Sequence, residues 1–290
     1  MDQAKDLLQD IHVTPVPSRP GVFRATLDHA WSFLMPSGGV LTSVALGAMR
    51  RTLADIPARV PVAATATFCS AVAEGPLEVE VQTLRAGKTA HQLRAHVRPL
   101  AGGPGDVGLE VTATFADPTT ATPEVKAFIT APSDLPRPDA CPPFAGRTPP
   151  PFYRNLEVRR AHGDVWWAPQ WEPDPRTARW FRYLVPPRAA DGMLDVLAIP
   201  PIADTMASAV HQAFGSPAPG EPSRILPSLD LTLHFVTPIA TPADGWILVD
   251  SHAHAAFAGQ ASARAEVWDA DGRLLALATQ TMTIRTLKPR

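Results

Sequence analysis

Hydrophobic and polar positions over residues 31–115 follow an order that residues 194–285 repeat. Trp31 comes before Pro36-Ser37-Gly38-Gly39, which opens an apolar stretch. A strand then ends at Phe68, and strands follow over 77–84, 89–98 and 111–115. In the second half an apolar stretch over 194–214 comes before a strand ending at Phe235. Strands over 246–251, 261–268 and 273–285 complete it. Ala64-Thr65-Ala66-Thr67-Phe68 and Leu231-Thr232-Leu233-His234-Phe235 both alternate with the two-residue period of a half-buried strand. Gly75 and Gly245 each stand where the next strand begins. The apolar stretches read as helices. Ser37 is a good N-cap, Gly38-Gly39 permits close backbone approach, and Val40, Val44 and Leu46 give an apolar face. Pro57 is expected to end this helix near residue 54. The second helix is expected to start after Pro200-Pro201.

Each unit is therefore one helix followed by an antiparallel sheet that curls around it, an α+β arrangement. Two such sheets joined edge to edge would hide their exposed edges. Residues 1–116 form the first unit after a polar lead-in, with a further strand over Gly21–His29. Residues 152–290 form the second, with strands at Leu156–Arg160 and Arg179–Val185. Arg85-Ala86-Gly87-Lys88 and Asp269-Ala270-Asp271-Gly272 mark hairpin turns. Between the units, residues 117–151 carry ten prolines and no period. They read as a linker laid along the surface.

The chain has 290 residues, 45% of them hydrophobic, which is enough for a sizeable core. A formal net charge of −2 argues against a general nucleic-acid or membrane-surface binder. Cys69 and Cys141 are too few and too far apart for a disulfide scaffold. Cys69, directly after Phe68, is expected to be a small buried hydrophobe. Met1–Asp6 has no signal-peptide pattern, and no apolar run reaches the ~18 residues of a membrane span. A soluble cytoplasmic protein is the expectation.

Most chemical motifs fail on context. Gly103-Pro104-Gly105-Asp106-Val107-Gly108 matches a dinucleotide-binding string but opens a strand rather than a helix, so a hairpin turn explains it better. His252 and His254 share a strand face, yet no third metal ligand is evident. Trp166-Trp167, Trp171 and Trp180-Phe181 could line an acyl pocket or pack the sheet against the helix or linker. Neither a Gly-x-Ser-x-Gly elbow nor a phosphate-binding Gly-x-x-x-x-Gly-Lys-Ser/Thr loop is present.

A polar set remains inside the apolar frame of the second unit: Asp204, Ser228 and Gln280. Buried carboxylates and amides are costly unless paired. On burial alone, a cap or a hydrogen-bonded core residue explains Asp204 as well as a site does. The first unit serves as a control. With Phe68 matched to Phe235, Pro61 stands opposite Ser228, Ala113 opposite Gln280, and the Ser37–Gly39 region opposite Asp204. The first copy keeps the frame and lacks the polar set, the pattern of a site used once.

At these residues the chain resembles the acyl-CoA thioesterase II family, built as a double hotdog. Trp31, Gly38-Gly39, the strand to Phe68 and Leu84-Arg85-Ala86-Gly87-Lys88 carry the match in the first unit. Asp204, Ser228-Leu229-Asp230-Leu231-Thr232 and Trp268-Asp269-Ala270-Asp271-Gly272-Arg273-Leu274-Leu275-Ala276 running into Gln280 carry it in the second. The resemblance implies that Asp204, Ser228 and Gln280 hold a water molecule. Ser228 stands where the family commonly has Thr. Asp204 would act as general base, Ser228 and Gln280 would orient the water, and a backbone N–H at a helix start would receive the oxyanion. The implied substrate is an acyl-CoA or acyl-carrier-protein thioester. No cofactor is needed, and a homo-oligomer is compatible with the family. Two rivals stay open. An enoyl-thioester hydratase or dehydratase pairs an Asp with a nearby His, whereas His211 lies seven residues after Asp204. A non-catalytic acyl or natural-product binder would keep only the pocket.

Overall fold

The computed structural model of the chain describes residues 4–56, 59–103, 106–118, 126–144, 149–165, 168, 170–217, 221–236 and 241–286. Pro57, the Pro104-Gly105 centre of the glycine string, and Trp166-Trp167 lie outside the described residues. A short helix α1 (Leu7–Asp10) leads into β1 (Thr14–Pro15) and β2 (Val22–Leu27). The long helix α2 (Gly38–Thr52) comes next, then β3 (Val60–Phe68), β4 (Gly75–Ala86), β5 (Ala90–Pro99) and β6 (Leu109–Ala116). The second repeat begins with β7 (Leu156–His162) and β8 (Arg176–Tyr183). Helices α3 (Ile199–Ala203) and α4 (Ala207–Phe214) follow, then β9 (Arg224–Ile225) and β10 (Asp230–Phe235). The chain closes with β11 (Ile247–Phe257), β12 (Gln260–Asp269), β13 (Leu274–Thr283) and β14 (Arg285–Thr286).

Twelve strands form one sheet in the order β1-β2-β4-β5-β6-β3-β10-β13-β12-β11-β8-β7, while β9 and β14 pair separately. The order is a palindrome about the β3–β10 seam, so the two sheets do join edge to edge. Ser37 starts α2 as expected, its Oγ accepting the Val40 N–H at 3.3 Å. The helices and the inner faces of all the long strands share one apolar cluster across both repeats. Strands such as β5, β6 and β13 bury one face, which is why alternation marked them so plainly, whereas β8 and the start of β11 are buried on both faces.

The seam fixes the relation between the copies. Thr65 pairs with Thr232 across it, their Oγ1 atoms 3.1 Å apart and 167 residues apart in sequence. That separation also relates Phe68 to Phe235 and Ser37 to Asp204. Elsewhere the ladders agree. Thr112 faces Thr65 as Thr279 faces Thr232. Pro61 faces Phe115 as Ser228 bridges Met282. Ala113 therefore occupies in the first copy the place of Gln280 in the second. A pseudo-two-fold axis passes between Thr65 and Thr232 in the sheet and between Ser37 and Asp204 above it.

Several expectations need correction. The second helix does not start after Pro200-Pro201. A 3-10 turn (Val196–Ala198) leads into α3, whose first turn contains both prolines, where their missing N–H groups are not needed. Asp204 lies in a 3-10 turn (Asp204–Met206) between α3 and α4 rather than in regular helix. Ser228 lies two residues before β10 begins, and β8 starts three residues earlier than its sequence pattern suggested. Cys69 is exposed, because β3 ends one residue before it, and Cys141 is the buried cysteine.

The described residues 131–141 of the proline-rich segment lie on the outer face of the second sheet and contribute to packing there. Cys141 is buried with Ala178, Trp180, Leu248 and Trp268, and Ala131 and Leu135 pack on them. Trp180 Nε1 donates to Pro136 O at 2.9 Å. So Trp180 packs sheet against linker instead of lining an inner pocket. Among the described residues no helix is long and apolar enough to cross a membrane. Leu231, fully buried at the seam, gives a direct test of the joined core. Replacing it with Ala should lower unfolding free energy by about 2–5 kcal/mol in urea titration. A loss below ~0.5 kcal/mol, the usual size of a surface change, would contradict a closed seam.

Candidate active site

The structure brings all three candidate residues together. Gln280, on β13 and 1% exposed, donates from Nε2 to Asp204 Oδ1 at 2.7 Å and to Ser228 Oγ at 2.8 Å. The other carboxylate oxygen of Asp204 is held from the first repeat. Ser37 Oγ donates to Asp204 Oδ2 at 3.1 Å and Gly39 N–H donates to it at 2.9 Å. The carboxylate thus sits against the N-terminus of α2, where the helix dipole favours negative charge.

Local sequence explains why the two repeats approach so closely there. A Cβ built on Gly39 would lie 2.3 Å from Pro200 O, and one on Gly38 would lie 2.5 Å from the Phe68 ring. Gly39 is required if α2 is to meet α3, whereas Gly38 makes room for the Phe68 ring of β3. The 3-10 turn at Asp204 lets the chain depart from α3 geometry where the carboxylate must face α2. Further along the same contact, Ser43 Oγ donates to Leu197 O at 2.8 Å, and Arg50 grips Asp195 at 2.8 and 3.0 Å.

Chemically, the set is an acceptor beside a relay. Burial raises the Asp204 carboxyl above its ordinary value of 3.8, and bonds from Gly39, Gln280, Ser37 and Gly38 pull it back down. A raised carboxyl takes up a proton more readily than a surface one, which suits a general base. Ser228 accepts from Gln280, so its own hydroxyl proton is available to a ligand. Gln280 Oε1 is buried without a hydrogen-bond partner among the described residues. That orphan acceptor and Asp204 Oδ1 both belong to the same small cluster. The first turn of α2 is largely committed, Gly39 N–H to Asp204 and Val40 N–H to Ser37. This clamp from Ser37 and Gly39 has one trace in the sequence, the Ser37–Gly39 region standing opposite Asp204.

The remaining candidates do not join the site. His252 lies 3.4 Å from Asp250 Oδ1 and His254 is exposed. Among the described residues no three His, Cys, Asp or Glu side chains are grouped to hold a metal ion. Trp171 Nε1 donates to His211 O at 3.3 Å, in the packing around α4.

Two outcomes follow from the geometry. Titration of the Asp204 carboxyl, read as the carbon NMR difference from Asp204→Asn, should have its midpoint above 3.8. Because the folded value exceeds the unfolded one, this group favours folding at low pH and loses that effect as pH rises through its midpoint. A midpoint at or below 3.8 contradicts the burial described. Gly39→Ala, which must push α2 from Pro200, should destabilise the protein by about 1–3 kcal/mol in thermal unfolding. An unchanged melting temperature would mean that the contact is not close.

Comparison with known proteins agrees with this architecture. The family model described as acyl-CoA thioesterase N-terminal domain matches residues 27–116, and that described as acyl-CoA thioesterase C-terminal domain matches residues 132–284. No curated protein matches the chain in sequence. Among solved structures, a hot dog fold protein from Alicyclobacillus acidocaldarius is 20% identical, covering 97% of this chain and 98% of its own, with a TM-score of 0.76. The acyl-CoA thioesterase II TesB2 of Mycobacterium marinum is 20% identical over 97% and 99%, with a TM-score of 0.74. The dehydratase domain of RzxB from Pseudomonas fluorescens is 12% identical over 96% and 100%, with a TM-score of 0.54. At such identities the likeness is one of fold, the double hotdog. The two family-model matches, one per repeat, decide membership: the chain belongs to the acyl-CoA thioesterase family.

Proposed function

We propose that this protein hydrolyses acyl thioesters of coenzyme A, or of a carrier protein, to free acid and thiol. The observation that carries the proposal is the buried Asp204 carboxylate sharing Gln280 Nε2 with Ser228 Oγ. A water held there would lose a proton to Asp204 while its oxygen attacks the thioester carbonyl. Gln280 and Ser228 orient the water, and the Ser228 hydroxyl is a candidate donor to the carbonyl oxygen. The thiolate leaves readily, so a separate strong acid is not required. Thioester hydrolysis in general is supported by family membership. The three residue roles rest on the geometry. A cytoplasmic setting and a homo-oligomer are compatible with the same reading.

His211 fits the rival hydratase role poorly. It comes seven residues after Asp204, on α4, and the Asp204 oxygens are bonded by Ser37, Gly39 and Gln280 instead. The test is free-thiol release from a panel of acyl-CoA thioesters. Wild-type protein should release thiol, and Asp204→Asn should do so about 100- to 10,000-fold more slowly, the usual worth of a general base. Equal rates would overturn the role of Asp204. Water addition to an enoyl-CoA without thiol release, or tight binding without turnover, would overturn the hydrolytic reading itself.

A further inference from the structure

The second repeat contains a buried cation for which the described residues supply no carboxylate within ion-pair distance. Arg179 on β8 is 3% exposed and lies on the same strand face as Phe181 and Tyr183, both in the shared core. One terminal nitrogen donates to Ser208 Oγ and the other to Asp164 O at 2.7 Å. The Phe144 ring lies 5.7 Å from the guanidinium carbon. Arg179 Nε is buried and has no acceptor among the described residues. Burial is the chief influence lowering its pKa, and Tyr153, Arg160 and then Asp164 act on it more weakly. The Asp164 carboxylate is itself held by Arg160 at 2.6 Å. A buried charge without a counter-charge is costly, and a guanidinium fork matches the paired oxygens of a carboxylate.

The first repeat again serves as a control. Val79 faces Val97 in one copy as Val249 faces Val267 in the other. Phe23 stands opposite Val79, and Arg179 stands opposite Val249. An apolar Phe23 therefore fills in the first copy the position that Arg179 fills in the second. The fold does not need a cation there. As with Asp204, the polar group occurs in one copy only.

Its position relative to Asp204 is also informative. Ser208, which Arg179 grips, comes four residues after Asp204, just past the 3-10 turn at the start of α4. Thr177 Oγ1 lies 3.0 Å from the same Ser208 hydroxyl. Buried Tyr153 belongs to the shared core, and burial is the chief cause raising its pKa. Arg179 and Ser208 thus form a second polar group in the same repeat, next to the turn that carries Asp204.

We propose that Arg179 recognises a carboxylate at the far end of the acyl chain, so that short ω-carboxyacyl thioesters are the preferred substrates. The inference rests on hydrolysis at Asp204 for its chemistry, but binding tests it separately. The probes are thioether analogues of glutaryl-CoA and of pentanoyl-CoA, in which a methylene replaces the carbonyl and no hydrolysis can occur. By calorimetry the carboxylate analogue should bind the wild-type protein roughly tenfold or more tightly than the alkyl analogue. Arg179→Met should bring that ratio towards one, and Arg179→Lys should keep part of it. If the Met variant does not fold, the wild-type ratio and the Lys variant decide. Equal binding of the two analogues by the wild type, or a ratio unchanged in both variants, overturns the inference. Thiol release from pentanoyl-CoA but not glutaryl-CoA overturns it while leaving the hydrolase reading intact. Carboxylate preference with no thiol release from either substrate does the reverse.

Discussion

Taking the Asp204 carboxylate out of water costs several kcal/mol unless its oxygens are bonded. Each oxygen is bonded, and the donors come from different halves of the chain. Oδ2 takes Ser37 and Gly39 from the first repeat, and Oδ1 takes Gln280 from the second. Much of the local architecture serves that clamp. It accounts for Gly39 at the start of α2, for the proline pair packed against it, and for the 3-10 turn that interrupts the second helix. Neither repeat alone could keep this carboxylate buried and bonded at both oxygens.

The clamp lies on the pseudo-two-fold axis, and that location explains how a duplicated fold holds this polar cluster only once. Residues on the axis meet their own counterparts: Thr65 meets Thr232, and Ser37 meets Asp204. A symmetrical pair of carboxylates there would repel, each raising the cost of ionising the other. With a hydroxyl in one copy and a carboxylate in the other, the first becomes the donor and the second the acceptor. Divergence at Ala113 and Gln280, and at Pro61 and Ser228, follows the same division. The first repeat supplies the helix terminus and the second supplies the carboxylate, the hydroxyl and the amide.

The frame was legible because strands such as β5, β6 and β13 have one face on the helix layer and one facing away, which writes itself as alternation. The repeat also exposed Asp204, Ser228 and Gln280, since a comparison between copies separates polar residues the frame needs from those it does not. Other features have no such signature. Pro200-Pro201 could mark a helix start or sit inside a first turn, and only packing against Gly39 decides. The proline-rich linker shows no period, yet it buries Cys141 because extended chain can lie flat on a sheet face. Cys69 differs from a buried strand residue by a single position. Arg179 reads as an ordinary surface charge until its parity with Phe181 and Tyr183 places it inside.

The most direct test of water attack at Asp204 is a single turnover in oxygen-18 water, with enzyme in excess over a hydrolysable acyl-CoA. Direct attack by a solvent molecule held at Asp204, Ser228 and Gln280 predicts that the acid formed in that first turnover carries one solvent oxygen. Acid that lacks the label, with the missing oxygen traced to the Asp204 carboxyl, would contradict the account, because the residue would then be a nucleophile rather than a base.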